Sequence, residues 1–426
     1  MKRSFSIGIV VTLQLLATVA TQLLIIKIVG VGVETDIYIA AQTIPAVLSA
    51  IIITALQSVW LPRFSVLVDD FSSWCNEQSV AQGQGLLLGV GIILFIYLLL
   101  PVLMPFIFPG FKEAQIQRAL FFSCPLLLAA IFNIQTALLT VALRARNKFI
   151  VAELIAMLAA TLGMVAVIFF LPGYGLEAVV FITLIRSIIV YLIQMYFASW
   201  PLPSVIKGWQ CRSTWKMMKP LLFGSSLYKT SPLVDRYWLS QVSSGGITVY
   251  NLAQTVMGMM ATILDRMIAM PLAPSFSRYV NELDYEGLKK SYRQGIYRVT
   301  VVIILIAILL FLAKPIIMML LSHILDLEQE VSESIWWISI LLLGYLHVAV
   351  SGTIAVAVFY ALSDSKAPVY IGLMGFLVGL ILKWHLFDLG GIYGIAIATS
   401  CYFLINIMAF DLFVCKKINR RLLSEV

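Results

Sequence analysis

Charged side chains are scarce in this chain. Only 12% of its 426 residues are Asp, Glu, Lys or Arg, and 61% are apolar, whereas about 25% of the residues in a soluble domain are charged. The mean hydropathy is correspondingly high, at +0.98. A chain with so few polar residues cannot cover the surface of a water-exposed globule. This composition excludes a soluble protein and favours one that lies in a membrane.

Residues typical of enzyme and metal sites are also few. Histidine occurs three times and cysteine five times, and neither forms the C-x-x-C or H-E-x-x-H spacing that predicts a metal centre. A phosphate-binding G-x-x-x-x-G-K-[ST] loop is absent, which excludes the familiar use of ATP. The sequence therefore predicts no catalytic centre, no metal and no cofactor.

Long apolar runs dominate the chain instead. A run of about 20 apolar residues is enough for a helix to span the hydrocarbon core of a bilayer. Twelve runs meet this requirement: about 6–29, 37–61, 84–107, 118–142, 150–171, 176–198, 218–240, 247–271, 296–321, 332–360, 367–387 and 391–414. The sequence therefore predicts an all-α polytopic membrane protein with about 12 transmembrane helices.

The basic residues are distributed unevenly between the predicted loops. With the N-terminus in the cytoplasm, 20 of the 29 Lys and Arg residues fall in cytoplasmic segments, two (Lys112 and Arg118) lie outside and seven lie within spans. Such an excess sets the orientation of a membrane protein, so both termini are predicted to be cytoplasmic. Topology thus explains the net charge of +8, which does not indicate nucleic acid binding. The apolar start continues to residue 29 and is interpreted as an uncleaved first span.

The chain contains an internal repeat. YIAAQTIP at 38–45 matches YNLAQTVM at 250–257, and the same offset of 212 gives 12 identities over the 46 positions 38–83 without a gap. Matches of Gln, Pro, Tyr and Gly at one offset indicate duplication. Because an even number of helices separates the copies, the halves have the same orientation. We predict six-helix lobes at 1–205 and 218–426, joined by a basic cytoplasmic linker at 206–217.

Basic residues within the predicted spans are functional candidates, because charge is costly in hydrocarbon. The seven are Lys27, Arg186, Lys229, Arg236, Arg266, Lys314 and Lys383. Three of them, Lys27, Lys314 and Lys383, lie near the outer ends of spans. Their long side chains are expected to reach the interface there.

Lys229 and Arg236 are leading candidates among these seven residues for binding a substrate. They are seven residues apart in the seventh predicted helix and are expected to share one of its faces, with Pro232 between them. This face is predicted to line a substrate cavity. The alternative is that Asp235 offsets the charge of Arg236 in a purely structural pair.

A polar stripe marks the eighth predicted helix. Tyr250, Gln254 and Asp265 fall on one helical face, and Tyr38 and Gln42 begin the same stripe in the second helix. These side chains either form hydrogen bonds between helices or line an axis between the two lobes.

The two halves differ in charge at the end of this stripe. Asp265 and Arg266 correspond to Ile53 and Thr54 in the first half. A duplicated scaffold with unduplicated charge suits an asymmetric, anionic substrate. Asp265 and Asp235 are candidates for coupling to a cation, either H⁺ or Na⁺, and the membrane potential is a further candidate driving force.

Two segments resemble a known family. KIVGVGVETDIYIAAQTIP…LPRFS (27–65) and VDRYWLSQVSSGGITVYNLAQTV…PLAPSFS (234–277) are similar to signatures of MurJ/MviN-type lipid II flippases, members of the multidrug/oligosaccharidyl-lipid/polysaccharide (MOP) superfamily. The resemblance implies a V-shaped MOP/MATE-like fold of two six-helix lobes around a cationic cavity. Lys27 matches a basic family position. Ser49 and Thr255, in contrast, stand where those flippases have arginines.

The resemblance implies a flippase that works by alternating access in the bacterial inner membrane. Its expected substrate is an undecaprenyl-diphosphate-linked saccharide: O-antigen, capsule, exopolysaccharide or a lipid II-like unit. Membrane lipids and other polysaccharide-assembly proteins are the expected partners, and the chain is expected to be a monomer. A drug:cation antiporter on the same fold is the main alternative and would need a mainly acidic cavity. A membrane-embedded transferase would need a large outer loop or clustered carboxylates.

Overall fold

The structure, a computed structural model, describes residues 2–67, 69–364 and 366–423. All regular secondary structure in these residues is helical. Helices suit a membrane because each satisfies its own backbone hydrogen bonds where no water is available. The prediction of an all-helical protein is therefore confirmed for the part of the chain that the structure describes.

The first half begins with five long helices. They are α1 (Lys2–Val29), α2 (Val33–Val66), α3 (Phe71–Ile107), α4 (Glu113–Ala145) and α5 (Phe149–Phe197). A short helix, α6 (Val205–Gln210), follows, and then α7 (Arg212–Lys229) and α8 (Ser231–Leu239).

The second half contains seven helices and a π-helical turn. They are α9 (Gly246–Leu264), the π turn (Asp265–Ala269), α10 (Met270–Asn281), α11 (Tyr285–Leu312), α12 (Lys314–Leu325), α13 (Gln329–Leu341), α14 (Leu343–Ala361) and α15 (Lys366–Leu423).

Two of these helices are interrupted by a single glycine. Gly175 in α5 has φ 62° and ψ −156°, and Gly391 in α15 has φ 51° and ψ −126°, combinations that favour glycine. After the second break the chain folds back, so that Gly394 lies against the backbone of Leu386. Gly175 falls between the fifth and sixth predicted spans, and Gly391 is the first residue of the twelfth, so each break divides a long helix into two segments.

Nine stretches of the described residues are long and apolar enough to span a membrane. Two of them contain the glycine breaks and provide two segments each. Three predicted spans are discontinuous: the seventh breaks at Thr230, the ninth at Ala313 and the tenth at Leu342. The protein is thus a multi-pass membrane protein, and the count of twelve crossings stays a prediction.

The helices form two compact units, residues 1–248 and 249–426. In the first unit α2 packs against α4, α1 and α4 pack against α5, and α7 and α8 pack against α2. In the second unit α14 packs against α15 and α11. The lobe boundaries that the repeat predicts, 1–205 and 218–426, stay a prediction.

The predicted linker at 206–217 packs against the first unit. The Gln84 side chain of α3 donates from Nε2 to the Gly208 carbonyl at 3.0 Å and to the Thr214 hydroxyl at 2.5 Å. The Ser204 amide donates to the Ser79 carbonyl at 2.9 Å. These bonds satisfy buried polar groups, so α6 and the start of α7 are fixed to α3.

Basic residues from several predicted cytoplasmic loops meet at one end of the first unit. Arg63 lies 3.6 Å from the Glu77 carboxylate and 3.6 Å from Cys211 Sγ, and Lys207 donates to Asn76 at 2.7 Å. This common location agrees with the assignment of these loops to one side of the membrane.

We predict that Cys75, Cys211 and Cys415 face the cytoplasm. An impermeant thiol reagent should therefore label them only after spheroplasts are lysed, because the Lys and Arg excess lies on their side. As a matched control, Lys112→Cys in a cysteine-free variant should react in intact spheroplasts, since Lys112 is exposed on the predicted outer side. Labelling of the three native cysteines without lysis would reverse the orientation.

Candidate functional site

Asp36, near the start of α2, is a buried acidic residue of the first unit. Its side chain is 6% exposed. One carboxylate oxygen accepts the Gly245 amide at 2.7 Å, and the other accepts the Thr248 amide at 2.8 Å and the Thr248 hydroxyl at 2.6 Å. Burial of a carboxylate is costly unless donors surround it. Asp36 therefore holds the start of α2 against the turn before α9.

This junction joins positions that are equivalent in the repeat. Asp36 and Thr248 are 212 residues apart, which is the repeat offset. Gly32 and Ser244 are also separated by the offset, and a Cβ atom on Gly32 would lie 3.9 Å from the Ser244 hydroxyl. Two pairs of repeat-equivalent positions therefore lie close together at these two turns. The sequence analysis missed Asp36, although its offset partner is a hydroxyl residue.

Lys229, at the end of α7, reaches the exposed face of α2. Its half-buried ammonium donates to the Ala50 carbonyl at 2.9 Å and to the Thr54 hydroxyl. Both acceptors are neutral oxygens. Gln42 is half-buried on α2, two helical turns before Ala50. The structure thus places one predicted site cation on α2, beside the position that the repeat pairs with Arg266.

Lys229 and Arg236 do not share one continuous helix, contrary to the prediction. Thr230 separates α7 from α8, and Pro232 lies in the first turn of α8, where a missing backbone N–H is tolerated. Asp235 and Arg236 are buried, at 3% and 4% exposure. Arg236 lies close enough to act on the charge of the Asp36 carboxylate. The break therefore places Arg236 with the Asp36 junction and Lys229 with α2.

The three lysines predicted to reach the interface differ from one another. Lys27 is exposed in the last turn of α1, where the helix dipole favours a cation. Lys314 lies over the ring of Trp336, with its Nζ 4.4 Å from the centroid. For Lys383 the prediction was wrong: the side chain is 2% exposed, and its Nζ lies 5.2 Å from the ring centroid of Tyr402. A cation–π contact compensates part of its burial.

The repeated tyrosines pack against the last helical segment of their own half. The Tyr250 hydroxyl is 3.2 Å from that of Thr399 in α15, and Tyr38 lies near Thr183 in α5 and near Gln42. Tyr250 is 0% exposed and Tyr38 is 7% exposed. These contacts are those expected if the tyrosines hold helices together.

In the second unit the candidate charges lie at the π-helical turn. Asp265 opens this turn, and Arg266 follows it; both are half-buried. Thr353 of α14 lies near the Asp265 carboxylate. In the first half, Ile53 and Thr54 occupy the equivalent positions inside the continuous helix α2. The two halves therefore differ here in backbone as well as in charge. π turns are rare and often occur at functional sites.

The remaining predicted residue, Gln254, is half-buried in α9. It belongs to the second unit, whereas Gln42 belongs to the first. The expectation that their two faces meet across an axis stays a prediction. Within the described part of the chain, no three His, Cys, Asp or Glu side chains converge to hold a metal ion.

Comparison with known proteins identifies the family. A family model described as lipid II flippase MurJ matches residues 25–423. A probable lipid II flippase MurJ from Synechocystis sp. is 30% identical over 164 residues, which are 38% of this chain and 29% of that relative. The chain thus matches less than a third of the length of this curated relative.

Solved structures show the same fold. A lipid II flippase MurJ in an inward closed conformation superposes with a TM-score of 0.80 at 17% identity, covering 96% of this chain and 87% of that one. An inward-facing MATE family multidrug resistance transporter of the MOP superfamily gives 0.81 at 16% identity, covering 96% of each chain. These similarities concern the fold, and the family model covers nearly all of the sequence. The chain therefore belongs to the MurJ lipid II flippase family.

Proposed function

We propose that this protein is a flippase, and not an enzyme, that moves a polyprenyl-diphosphate-linked saccharide from the cytoplasmic to the outer leaflet of the bacterial inner membrane. The observation that carries the proposal is the position of Lys229. In a chain of the lipid II flippase family, this cation lies on the exposed face of α2 and binds neutral oxygens of Ala50 and Thr54.

The physical problem for such a protein is the diphosphate. It carries about two negative charges, and isolated charge in a low-dielectric slab costs several kcal/mol or more. Fixed cations and water in a cavity reduce this cost, while the polyprenyl tail stays in lipid. Lys229, Arg236 and Arg266 are the candidate cations, with Lys27 as a fourth, and Gln42 and Gln254 are the candidate polar lining. Tyr250, the third residue predicted to line the cavity, is buried with its hydroxyl 3.2 Å from that of Thr399, which favours a role in packing.

The saccharide is proposed as a class. The family is described by its lipid II flippases, yet Ser49 stands where those flippases have an arginine. Its hydroxyl is buried and donates to the Pro45 carbonyl of the same helix at 2.7 Å, and it provides no positive charge. Thr255 likewise provides none. O-antigen, capsule and exopolysaccharide precursors therefore remain in the proposed class beside a lipid II-like unit.

The alternative is a drug:cation antiporter on the same fold. Fold similarity does not separate the two, because the MurJ and MATE structures superpose with TM-scores of 0.80 and 0.81. One fold hosts many functions. The family match and the basic residues within the spans favour the flippase.

Alternating access would require the Asp36 junction to open. We place Asp36, Gly245 and Thr248 at the closed outer end of the pathway, where their separation would expose the substrate to the outer leaflet. Asp265 and Asp235 are the proposed sites of coupling to H⁺ or Na⁺, with the membrane potential as an alternative driving force. Other polysaccharide-assembly proteins are the proposed partners of a monomer.

The lipid-linked saccharides of a deletion strain test the function. We expect one polyprenyl-linked saccharide to accumulate in the cytoplasmic leaflet, and its glycan to be missing from the cell surface. The identity of the accumulated sugar would fix the substrate. Normal surface glycans and unchanged lipid-linked pools, together with increased sensitivity to cationic drugs, would support the antiporter instead.

Neutralising the proposed cations should stop transport. Lys229→Ala and Arg266→Ala are expected to lower glycan export about tenfold or more, because each removes a cation that faces the diphosphate. Complementation of the deletion strain at matched protein level measures this. Lys314→Gln is the control, because its ammonium lies over Trp336. Full activity of both alanine variants would make these charges structural.

Joining the two equivalent turns should also stop transport. Gly32→Cys with Ser244→Cys, in a variant without native cysteines, introduces two thiols at neighbouring positions, since a Cβ atom on Gly32 would lie 3.9 Å from the Ser244 hydroxyl. Oxidation is expected to cross-link the pair and halt export, and a reductant should restore it. Adding Asp36→Asn should lower the yield of cross-linked protein, because the NH₂ group of the asparagine would face a backbone N–H donor. Normal export by fully cross-linked protein would show that the junction does not open.

A further inference from the structure

A second candidate site lies at the C-terminal end of α15, away from the residues discussed above. A cavity of about 480 Å³ opens there between α14 and α15. Its walls combine basic and aromatic side chains: Lys416, Lys417, Arg420, Arg421, Phe359 and Phe413. A cavity of this volume suits a small polar group with part of its apolar attachment.

The cavity carries an excess of positive charge. Of its lining residues that the structure describes, four are basic and one, Asp364, is acidic. Both oxygens of Asp364 are engaged: one accepts the backbone amides of Lys366 and Ala367 at 3.0 and 3.1 Å, and the other accepts the Lys417 ammonium. The hydrogen bond from Lys417 holds the pKa of Asp364 below its ordinary value, so this carboxylate stays ionised and fixes Lys417 in place.

The helix face leading to the cavity is apolar. Ile405, Met408 and Leu412 are exposed, with 65% exposure at Met408, and spacings of three and four residues place them on one face with Lys416 and Arg420. Along this face apolar side chains are followed by cations within two helical turns. An anionic phospholipid has the matching arrangement, with apolar acyl chains next to a negatively charged phosphate headgroup.

We infer that this cavity binds the phosphate headgroup of an anionic phospholipid, with an acyl chain against Ile405, Met408 and Leu412. Basic pockets between helices at a membrane surface recognise such headgroups. The positive-inside rule explains only an excess of Lys and Arg on the cytoplasmic side. It does not account for a walled cavity or for a lysine held by a capping carboxylate. The inference is independent of which saccharide the protein carries.

The test uses purified full-length protein titrated with phosphatidylglycerol or phosphatidylcholine and measured by native mass spectrometry. Lys416→Gln with Arg420→Gln should weaken phosphatidylglycerol binding by about tenfold to thirtyfold, because two cations are lost. Lys216→Gln with Lys219→Gln is the matched control. It removes the same charge from exposed residues of α7 and should leave binding unchanged. Equal binding by both double variants would overturn the inference.

A second arm separates a lipid from a soluble anion. Met408→Ser with Leu412→Ser removes apolar surface and should weaken phosphatidylglycerol binding without changing the affinity for inorganic phosphate. If inorganic phosphate binds the wild-type protein as tightly as the lipid, or if phosphatidylcholine binds equally well, the site does not recognise an anionic phospholipid. All six substituted side chains are exposed, so each variant is expected to fold, and thermal unfolding checks this.

Discussion

A carboxylate buried at the end of a membrane helix must be surrounded by donors, and Asp36 meets this requirement by joining two turns. Two amides and a hydroxyl satisfy it, and Arg236 contributes a nearby charge. This contact holds the start of α9 against α2. If the carboxylate lost these donors inside the bilayer, several kcal/mol of desolvation would be uncompensated. The three donors therefore stabilise the buried carboxylate in the observed arrangement.

Periodicity and apolar runs predicted much of the fold, because helices in hydrocarbon must satisfy their own backbone. They did not predict the break at Thr230. A proline such as Pro232 is compatible with either a kink or a new helix, and packing decides between them. The burial of Lys383 was missed for a related reason: only the tertiary structure brings the Tyr402 ring to it. Asp36 was missed because its partners are two backbone amides and a hydroxyl, which no residue pattern identifies in advance.

The repeat separates what duplication kept from what it changed. Tyr38 and Tyr250 are both buried, and each lies near a threonine on the last segment of its own half, so the two tyrosines occupy similar packing positions. The halves differ at the equivalent positions Thr54 and Arg266: α2 is continuous at Thr54, whereas Arg266 lies in a π-helical turn. Lys229 donates to the Thr54 hydroxyl, in the half that has no basic residue at this position. This asymmetry is chemical information that the shared MurJ and MATE fold does not contain.

The glycine breaks in α5 and α15 have a consequence for proteolysis. Proteases act mostly on exposed, extended loop tips. At Gly175 and Gly391, a single residue with positive φ separates two helical segments. Neither break provides the several residues of extended backbone that a protease must bind. Limited digestion of intact cells would thus leave both helical pairs uncut, and fragments would report only on the longer connections of the chain.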